Sequence, residues 1–262
     1  MLPSAWSTPM RKATGVLLPA MGLLLLLVLW QVGVQALALS PAILPPPLLA
    51  LRSLQANAGL LLSEGWVTLR ESLYGFLLAF AIGVPIAVGI VSSRLLDRMF
   101  YPLLIMTQSL PKVALAPIVL VWLGTGMQSK VAIAALVAFF PIVVDTAAGL
   151  RGTPAELLEL ARATRASQFQ TFRKIRFPAA LPFILAGSKV AITLAVIGAV
   201  IGEFVGSDDG LGNLLLVANS QLNTPLAFAA LTALAILGMA LYAAVAGIEF
   251  LLRPWLGEAR HG

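Results

Sequence analysis

Long apolar stretches alternate with short polar segments along almost the whole chain. Six of these stretches hold about 20 residues or more, the length that a helix needs to cross a bilayer. Pro111, Lys112 and Pro117 interrupt the third stretch. The pattern predicts an all-α integral membrane protein with about six transmembrane helices, at Gly15–Leu39, Ser72–Ser93, Tyr101–Leu123, Val131–Leu150, Leu181–Phe204 and Pro225–Leu252.

Two longer segments between these spans do not fit a helix that crosses the membrane. Residues 40–69 begin with a proline cluster and continue as a weakly amphipathic helix, so we expect them to lie at the outer surface. Residues 205–224 carry Asp208, Asp209 and a Gly-Leu-Gly turn at 210–212. The spans must pack together to bury their polar atoms, so residues 1–262 are expected to form a single transmembrane domain.

The first apolar stretch has a second interpretation, because Ala36-Leu37-Ala38 resembles the cleavage site of a secretory signal peptide. The stretch is longer than the apolar region of a signal peptide, which favours a transmembrane helix.

Composition and charge fit a membrane protein, since 60% of the residues are apolar and 11% are charged, against about 25% charged in soluble domains. The net charge of +6 could indicate nucleic-acid binding, but the basic residues cluster in short loops and no aromatic and basic platform for stacked bases is visible. We therefore predict that the chain contacts membrane lipid and has no nucleic-acid partner. Cytoplasmic loops are enriched in Lys and Arg. One side of the predicted bundle holds most of the basic residues, namely Arg11, Lys12, Arg94, Arg98, six basic residues of 151–178, Arg253 and Arg260, while the other side holds little beyond Arg52, Arg70 and Lys130. The first side, which includes both termini, is therefore predicted to be cytoplasmic.

The polar segment 151–178, here called the knuckle, reads RGTPAELLELARATRASQFQTFRKIRFP. Thr153, Pro154 and Glu156 match a capping box with proline at the first helical position, which predicts that a helix starts there. One face of this amphipathic helix is predicted to hold Leu157, Leu160, Ala161 and Thr164.

A second helix is predicted directly after a turn at 164–166. Ser167 and Gln170 match another capping box, and Pro178 is expected to end the helix. One interpretation of the knuckle is a solvated loop whose arginines contact lipid headgroups. The other is a docking element, because helices this short need a partner surface to cover their apolar faces.

The sequence lacks the residues that catalysis or cofactor binding would require. Gly187-Ser188-Lys189 resembles only the end of a phosphate-binding loop and falls inside a span, so we predict that this chain does not bind ATP. The single histidine is His261, and there is no cysteine, which leaves neither a His-based triad nor a zinc cluster. We therefore predict a chain that is not an enzyme, with no catalytic residue, cofactor or metal.

Lys112 lies within the third span, about 16 Å from its inner end at the usual helical rise, where a lysine costs about 2.5 to 3.5 kcal/mol. Three interpretations remain open: it attracts a substrate in a translocation pathway, it pairs with an acid on a neighbouring helix, or it extends towards the headgroups where Pro111 breaks the helix. Gln108, Pro111 and Lys112 are therefore candidate pathway residues.

Glu203 lies near the outer end of the fifth span and is a candidate gate residue of the same pathway. The alternative is a buried carboxylate with a structural hydrogen bond. Lys189 and Asp145 lie nearer the inner side, where snorkelling or local capping explains them, and Glu249 is expected at the interface.

Part of the knuckle resembles the coupling-loop signature of permease subunits of bacterial ATP-binding-cassette importers, which reads E-A-A, three residues, G, nine residues, I-x-L-P. The matching residues are Glu159, Ala161, Arg165, Ile175, Phe177 and Pro178. Arg165 stands at the usual glycine, and Phe177 stands at the usual leucine. A residue other than glycine costs on the order of 1 kcal/mol in a left-handed turn, so we expect the turn to be reshaped.

Further stretches, within residues 65–252, resemble the nitrate, sulfonate and taurine class of these permeases: QSLPKVALAPIVLVWLGTG (108–126), FFPIVVDTAAGLR (139–151), FPAALPFILAGSKVAITLAV (177–196) and GEFVGSDDGLG (202–212). The stretch AITLAVIGAVIGEFVGSDDGLG is more similar to the branch associated with thiamine-pyrimidine precursors or riboflavin.

This resemblance implies a type I importer permease fold in the bacterial cytoplasmic (inner) membrane. It implies a homodimer, two ATP-binding subunits that hold ATP and Mg, and an extracytoplasmic protein that delivers a small polar or anionic solute. The coupling residues that it implies are Thr153, Glu156, Leu157, Glu159, Leu160, Ala161, Arg165, Ala166, Ile175 and Pro178.

A secondary transporter or a membrane scaffold without an ATPase partner is the alternative. A secondary transporter would need proton- or sodium-coupling carboxylates at mid-depth, whereas the acids here lie near the ends of the predicted spans. Co-purification with an ATPase distinguishes these classes.

Overall fold

The structure, a computed structural model, describes residues 9–107, 109 and 111–252, which form helices and no β-strand. A 3-10 turn, Lys112–Leu115, precedes α5, and a π-helical turn, Phe172–Arg176, joins α8 to α9. The helices are α1 (Pro9–Ala36), α2 (Pro47–Ala56), α3 (Ala58–Ser92), α4 (Arg94–Thr107), α5 (Ala116–Leu123), α6 (Met127–Arg151), α7 (Ala155–Ala163), α8 (Gln168–Thr171), α9 (Phe177–Gly206), α10 (Leu211–Ser220) and α11 (Thr224–Leu252).

Four of the described helices are long and apolar enough to cross a membrane: α3, α6, the continuous helix Gln168–Gly206, and α11. A fifth span results if the bent pair of α4 and α5 counts as one. The apolar part of α1, Met21–Ala36, is shorter than a span. The all-α membrane fold is therefore confirmed, with four or five spans among the described residues in place of the predicted six.

Helices α3, α6 and α9 form the centre of the bundle, and small residues let them approach closely. A Cβ atom added to Gly198 on α9 would lie 2.6 Å from the Cα atom of Ala134 on α6. One added to Gly75 on α3 would lie 3.0 Å from the backbone nitrogen of Ala135. Glycine and alanine at such contacts bring the backbones of membrane helices into van der Waals contact.

The predicted third span is not one straight helix. α4 ends at Thr107, the 3-10 turn begins at Lys112, and the two helical parts meet at 90°. Pro111 precedes the 3-10 turn and has no N–H with which to continue the hydrogen bonds of α4. The predicted depth of about 16 Å for Lys112 assumed the rise of a straight helix, and α4 and the 3-10 turn do not form one.

Pro178 does not end the second knuckle helix, contrary to the prediction. α8, the π-helical turn and α9 form one helix of 39 residues, Gln168–Gly206. The wider π turn lies directly before Pro178 and accommodates its ring and its missing N–H within the continuous helix.

The predicted boundaries around α3 are also wrong, and α10 was not predicted. α3 begins at Ala58, so residues 58–69 continue directly into the second span, and only α2 is a separate helix in the segment 40–69. The position of that segment at the outer surface stays a prediction. α10 lies within 205–224, directly after Gly210, whose φ of 101° redirects the chain.

Candidate functional site

The knuckle begins with α7, but the predicted capping box at Thr153 is wrong. The residue before α7 is Pro154, and no side chain caps the helix. The buried Thr153 hydroxyl instead donates to the carbonyl oxygen of Leu150 at 3.0 Å. Thr153 therefore satisfies a free carbonyl at the end of α6.

The second capping box of the knuckle is confirmed. The Gln170 backbone N–H donates to Ser167 Oγ at 3.2 Å, and the Ser167 N–H donates to Gln170 Oε1 at 2.9 Å. This reciprocal pair fixes the start of the 39-residue helix.

The turn between the two knuckle helices keeps the left-handed conformation that glycine prefers, although Arg165 occupies it with a φ of 52°. The Ala166 N–H donates to the Ala161 carbonyl at 2.9 Å, and the Arg165 N–H donates to the Arg162 carbonyl at 3.0 Å. These two hydrogen bonds define a Schellman motif. The expected reshaping of the turn is therefore not observed.

One side of α7 packs on the protein, while an apolar side stays open. Ala161 is 4% exposed, whereas Leu157 is 40% and Leu160 is 58% exposed. Phe169, beyond the turn, is 70% exposed, while Phe172 packs against the core near Leu150. We call Leu157, Leu160 and Phe169 the knuckle patch.

Charged residues precede and interleave with this patch along the chain. Arg151 forms an ion pair with Asp97 of α4, and its guanidinium lies 3.3 Å from the ring centroid of Tyr101. Glu156 and Glu159 are exposed and form no ion pair with the described residues. An apolar patch with unpaired carboxylates beside it is typical of a surface that binds another protein.

Of the predicted pathway residues, Lys112 and Pro111 lie at the break between α4 and α5, and Gln108 lies outside the described residues. The Lys112 Nζ atom lies 4.5 Å from the ring centroid of Phe140 on α6. No described carboxylate pairs with it, so the proposed partner acid on a neighbouring helix is not found among the described residues.

Glu203 is 1% exposed and its carboxylate is hydrogen-bonded within the subunit. Thr68 Oγ1 of α3 donates to Glu203 Oε1 at 2.7 Å, and the Gly212 N–H donates to Oε2 at 2.5 Å. The Leu211 N–H donates to Thr68 Oγ1 at 2.9 Å. These contacts match the structural alternative for Glu203, while its role as a gate stays a prediction.

A lysine completes this arrangement. Lys130, near the start of α6, lies 3.5 Å from Glu71 Oε1 of α3 and also donates to Ser207 Oγ at the end of α9. Both Lys130 and Glu71 are buried. We call Thr68, Glu71, Lys130, Glu203 and Ser207 the Glu203 cluster, and it joins α3, α6, α9 and the start of α10.

Sequence reasoning missed most of this cluster, although one signal was available. Glu64, Thr68 and Glu71 recur at the spacing of one helix face in an otherwise apolar segment. Such a polar stripe predicts a buried polar contact. Lys130 could not be assigned, because its partner lies on a distant part of the chain.

Three further ionisable residues of the spans have neighbours within the subunit. Lys189 Nζ of α9 and Glu249 Oε2 of α11 form an ion pair at 2.7 Å. Asp145 lies against Gly187, where an added Cβ atom would come within 2.7 Å of the Asp145 Cβ atom. The ion pair differs from the expected snorkelling of Lys189 and connects α9 to α11.

A bundle of apolar helices with the polar knuckle at one end places this chain in the class of multi-pass membrane proteins. The chain belongs to the family described as binding-protein-dependent transport system inner membrane component, whose model matches residues 79–257. It is therefore a permease subunit of an ATP-binding-cassette importer, a multi-pass protein of the inner membrane, as the sequence predicted.

The relatives cover almost the whole chain. The chain is 40% identical to the riboflavin transport system permease protein RibX of Chloroflexus aurantiacus, over 90% of this chain and 91% of the relative. It is 33% identical to the formylaminopyrimidine transport permease protein ThiX of Halalkalibacterium halodurans, over 94% of this chain and 98% of the relative. It is 27% identical to the taurine transport system permease protein TauC of Escherichia coli, over 97% and 94% of the two chains.

A solved structure shares the fold. An inward-facing form of the MetNI methionine ABC transporter aligns with a TM-score of 0.66 at 24% identity, covering 76% of this chain and 98% of that chain. The type I importer permease fold is thereby confirmed.

Proposed function

We propose that this chain acts as a homodimer that binds two ATP-hydrolysing subunits through its knuckles and receives its solute from an extracytoplasmic binding protein. ATP and Mg are bound by the partner subunits. Closure of these subunits moves the knuckle and switches the helices between inward-open and outward-open states.

The uncovered knuckle patch is the observation that carries this proposal. Phe169 is 70% exposed within a polar segment, and exposed apolar patches with a polar rim are typical of protein or membrane contacts. The exposed carboxylates of Glu156 and Glu159 beside it favour a protein partner over an anionic lipid surface. The patch also lies at one end of the 39-residue helix, so a partner that displaces it acts on the bundle directly.

We further propose that both termini and the knuckle face the cytoplasm. The support is the concentration of basic residues on that side, which membrane insertion favours in the cytoplasm. An ATPase partner must also bind on this side, where ATP is available.

The solute is proposed to be a small polar or anionic molecule. Two of the more similar relatives are named for riboflavin and formylaminopyrimidine. Permeases named for aliphatic sulfonates and taurine are 30% and 27% identical, respectively. The identities favour a flavin or pyrimidine precursor, and the sulfonates form the second class.

The test is purification of the tagged permease after co-expression with its ATP-binding subunit and binding protein. We expect a complex with two copies of each membrane-associated subunit, and ATP hydrolysis that increases with loaded binding protein. A permease that purifies without an ATPase and supports uptake without ATP would contradict the proposal. Binding measurements on the binding protein with riboflavin, a formylaminopyrimidine, taurine and an alkyl sulfonate separate the two solute classes.

A further inference from the structure

Lys112 differs from the other lysines of the membrane helices in its neighbours. Lys130 pairs with Glu71, and Lys189 pairs with Glu249. Lys112 is partly exposed and contacts the face of the Phe140 ring, and no carboxylate among the described residues pairs with it. An aromatic ring attracts an ammonium group but does not neutralise its charge.

The position of Phe140 along α6 gives the depth of the Lys112 ammonium group in the membrane, independently of the broken third span. Phe140 lies 11 residues before the last residue of α6, Arg151, and 13 residues after its first, Met127. At 1.5 Å per residue, these separations correspond to roughly 16 Å and 20 Å along the helix. The Lys112 ammonium is therefore close to the middle of the bilayer.

A charged group at this depth is stable only if it faces water, another charge or a partner surface. The 3-10 turn Lys112–Leu115, at the 90° bend after α4, places backbone that is not α-helical at the same depth. Such backbone within a membrane occurs where it lines a cavity or is covered by protein. The neighbouring Val113 is 56% exposed on the isolated subunit. The surface beside Lys112 is therefore not covered by the described residues of this subunit.

We infer that Lys112, supported by Phe140, is an electropositive site in the middle of the translocation pathway, where its ammonium group binds the carbonyl or anionic oxygens of a passing solute. The inference rests on the proposed transport function and adds one solute-binding residue within the translocation pathway. A carboxylate neighbour would cancel this attraction, whereas Phe140 positions the ammonium and leaves its charge available. Binding to one ammonium is also weak enough for the solute to leave.

The chain has no cysteine, so a single reporter cysteine tests the inference without a known solute. In the full-length Val113→Cys permease in nanodiscs, we compare the reaction rates of anionic sulfonatoethyl methanethiosulfonate and cationic trimethylammonium-ethyl methanethiosulfonate. Both rates are divided by the rates with free cysteine. We expect the anionic reagent to react faster, and Lys112→Gln to reduce this preference about tenfold, the scale of one charge acting across roughly 10 Å in a partly aqueous site.

Three controls make the result decisive. Lys112→Arg should keep the preference, Ala114→Cys provides a second reporter if Val113→Cys does not fold, and Leu26→Cys on the apolar helix α1 should not react with either reagent. Failure of both reagents to react at both reporters, or a preference that Lys112→Gln leaves unchanged, would overturn the inference. These outcomes do not depend on ATPase co-purification, so the site and the proposed function can fail separately.

Discussion

Arg165 is a residue at which this chain departs from the coupling-loop signature without changing the backbone. Its φ of 52° is unfavourable for a side chain with a Cβ atom by roughly 1 kcal/mol. We therefore predict that Arg165→Gly raises the thermal unfolding midpoint of the detergent-solubilised permease, by relieving about that amount of strain.

Arg162 provides the matched control for this change, because it is an exposed arginine in the last turn of α7 with ordinary helical backbone. Arg162→Gly should lower the midpoint, since glycine within a helix costs about 1 kcal/mol. Equal shifts in both variants would show that Arg165 is not strained.

Glu159 is exposed beside the knuckle patch and lacks an ion pair among the described residues. A charge in that position is available to a partner. We predict that Glu159→Lys leaves membrane insertion intact but reduces ATP-driven uptake at least about tenfold, since reversing a charge at an interface costs more than 1.4 kcal/mol. Uptake and ATP hydrolysis are measured in reconstituted vesicles, with Glu159→Gln as the intermediate case. Unchanged uptake by Glu159→Lys would remove Glu159 from the coupling residues.

At the scale of elements, the helix Gln168–Gly206 is the feature that connects the two ends of the molecule. Its 39 residues correspond to roughly 58 Å. The knuckle patch lies near its first residue, and the Glu203 cluster lies near its last. We expect a displacement at the knuckle to act along this helix on the contacts that position α10.

Variants of Glu203 test whether the Glu203 cluster stabilises the subunit. Glu203→Ala removes the acceptor for the Thr68 hydroxyl and the Gly212 N–H, and each buried donor left unpaired costs about 1 to 3 kcal/mol. We predict a clear fall in the unfolding midpoint, with Glu203→Gln between the wild type and Glu203→Ala because it keeps one acceptor oxygen. Slower uptake at unchanged stability would instead support the gate role.

How far the sequence predicted each element depended on whether the deciding contact was local. Ser167 and Gln170 are three residues apart, and their capping box was predicted correctly. Thr153 matched the same motif, but the free carbonyl of Leu150 competed for its hydroxyl. The continuation of the helix through Pro178 depends on a π turn that has no simple sequence signal. The Glu203 cluster joins residues up to 135 positions apart, as in the Thr68–Glu203 hydrogen bond, so periodicity could indicate only one of its helices.

At the scale of the whole molecule, the knuckle patch is the surface through which we propose that the permease binds its ATPase partner. The helices α3, α6 and α9 bury their shared contacts within the subunit, and Phe172 of the knuckle packs against Leu150, whereas the knuckle patch stays exposed. The exposed side chains of the knuckle patch are then free to bind a partner, and covering them is the clearest sign of assembly.

The most direct measurement is alkylation of single cysteines by a water-soluble maleimide, on the permease alone and in its complex with the ATP-binding subunit. Leu160→Cys and Phe169→Cys report on the knuckle patch, and Asn219→Cys on α10, at the other end of the long helix, is the control. We predict that complex formation slows alkylation at both knuckle positions at least about tenfold, as burial of a small interface would, and leaves the rate at Asn219→Cys unchanged. Alkylation rates at both knuckle positions that complex formation leaves unchanged would contradict the knuckle patch as the docking surface.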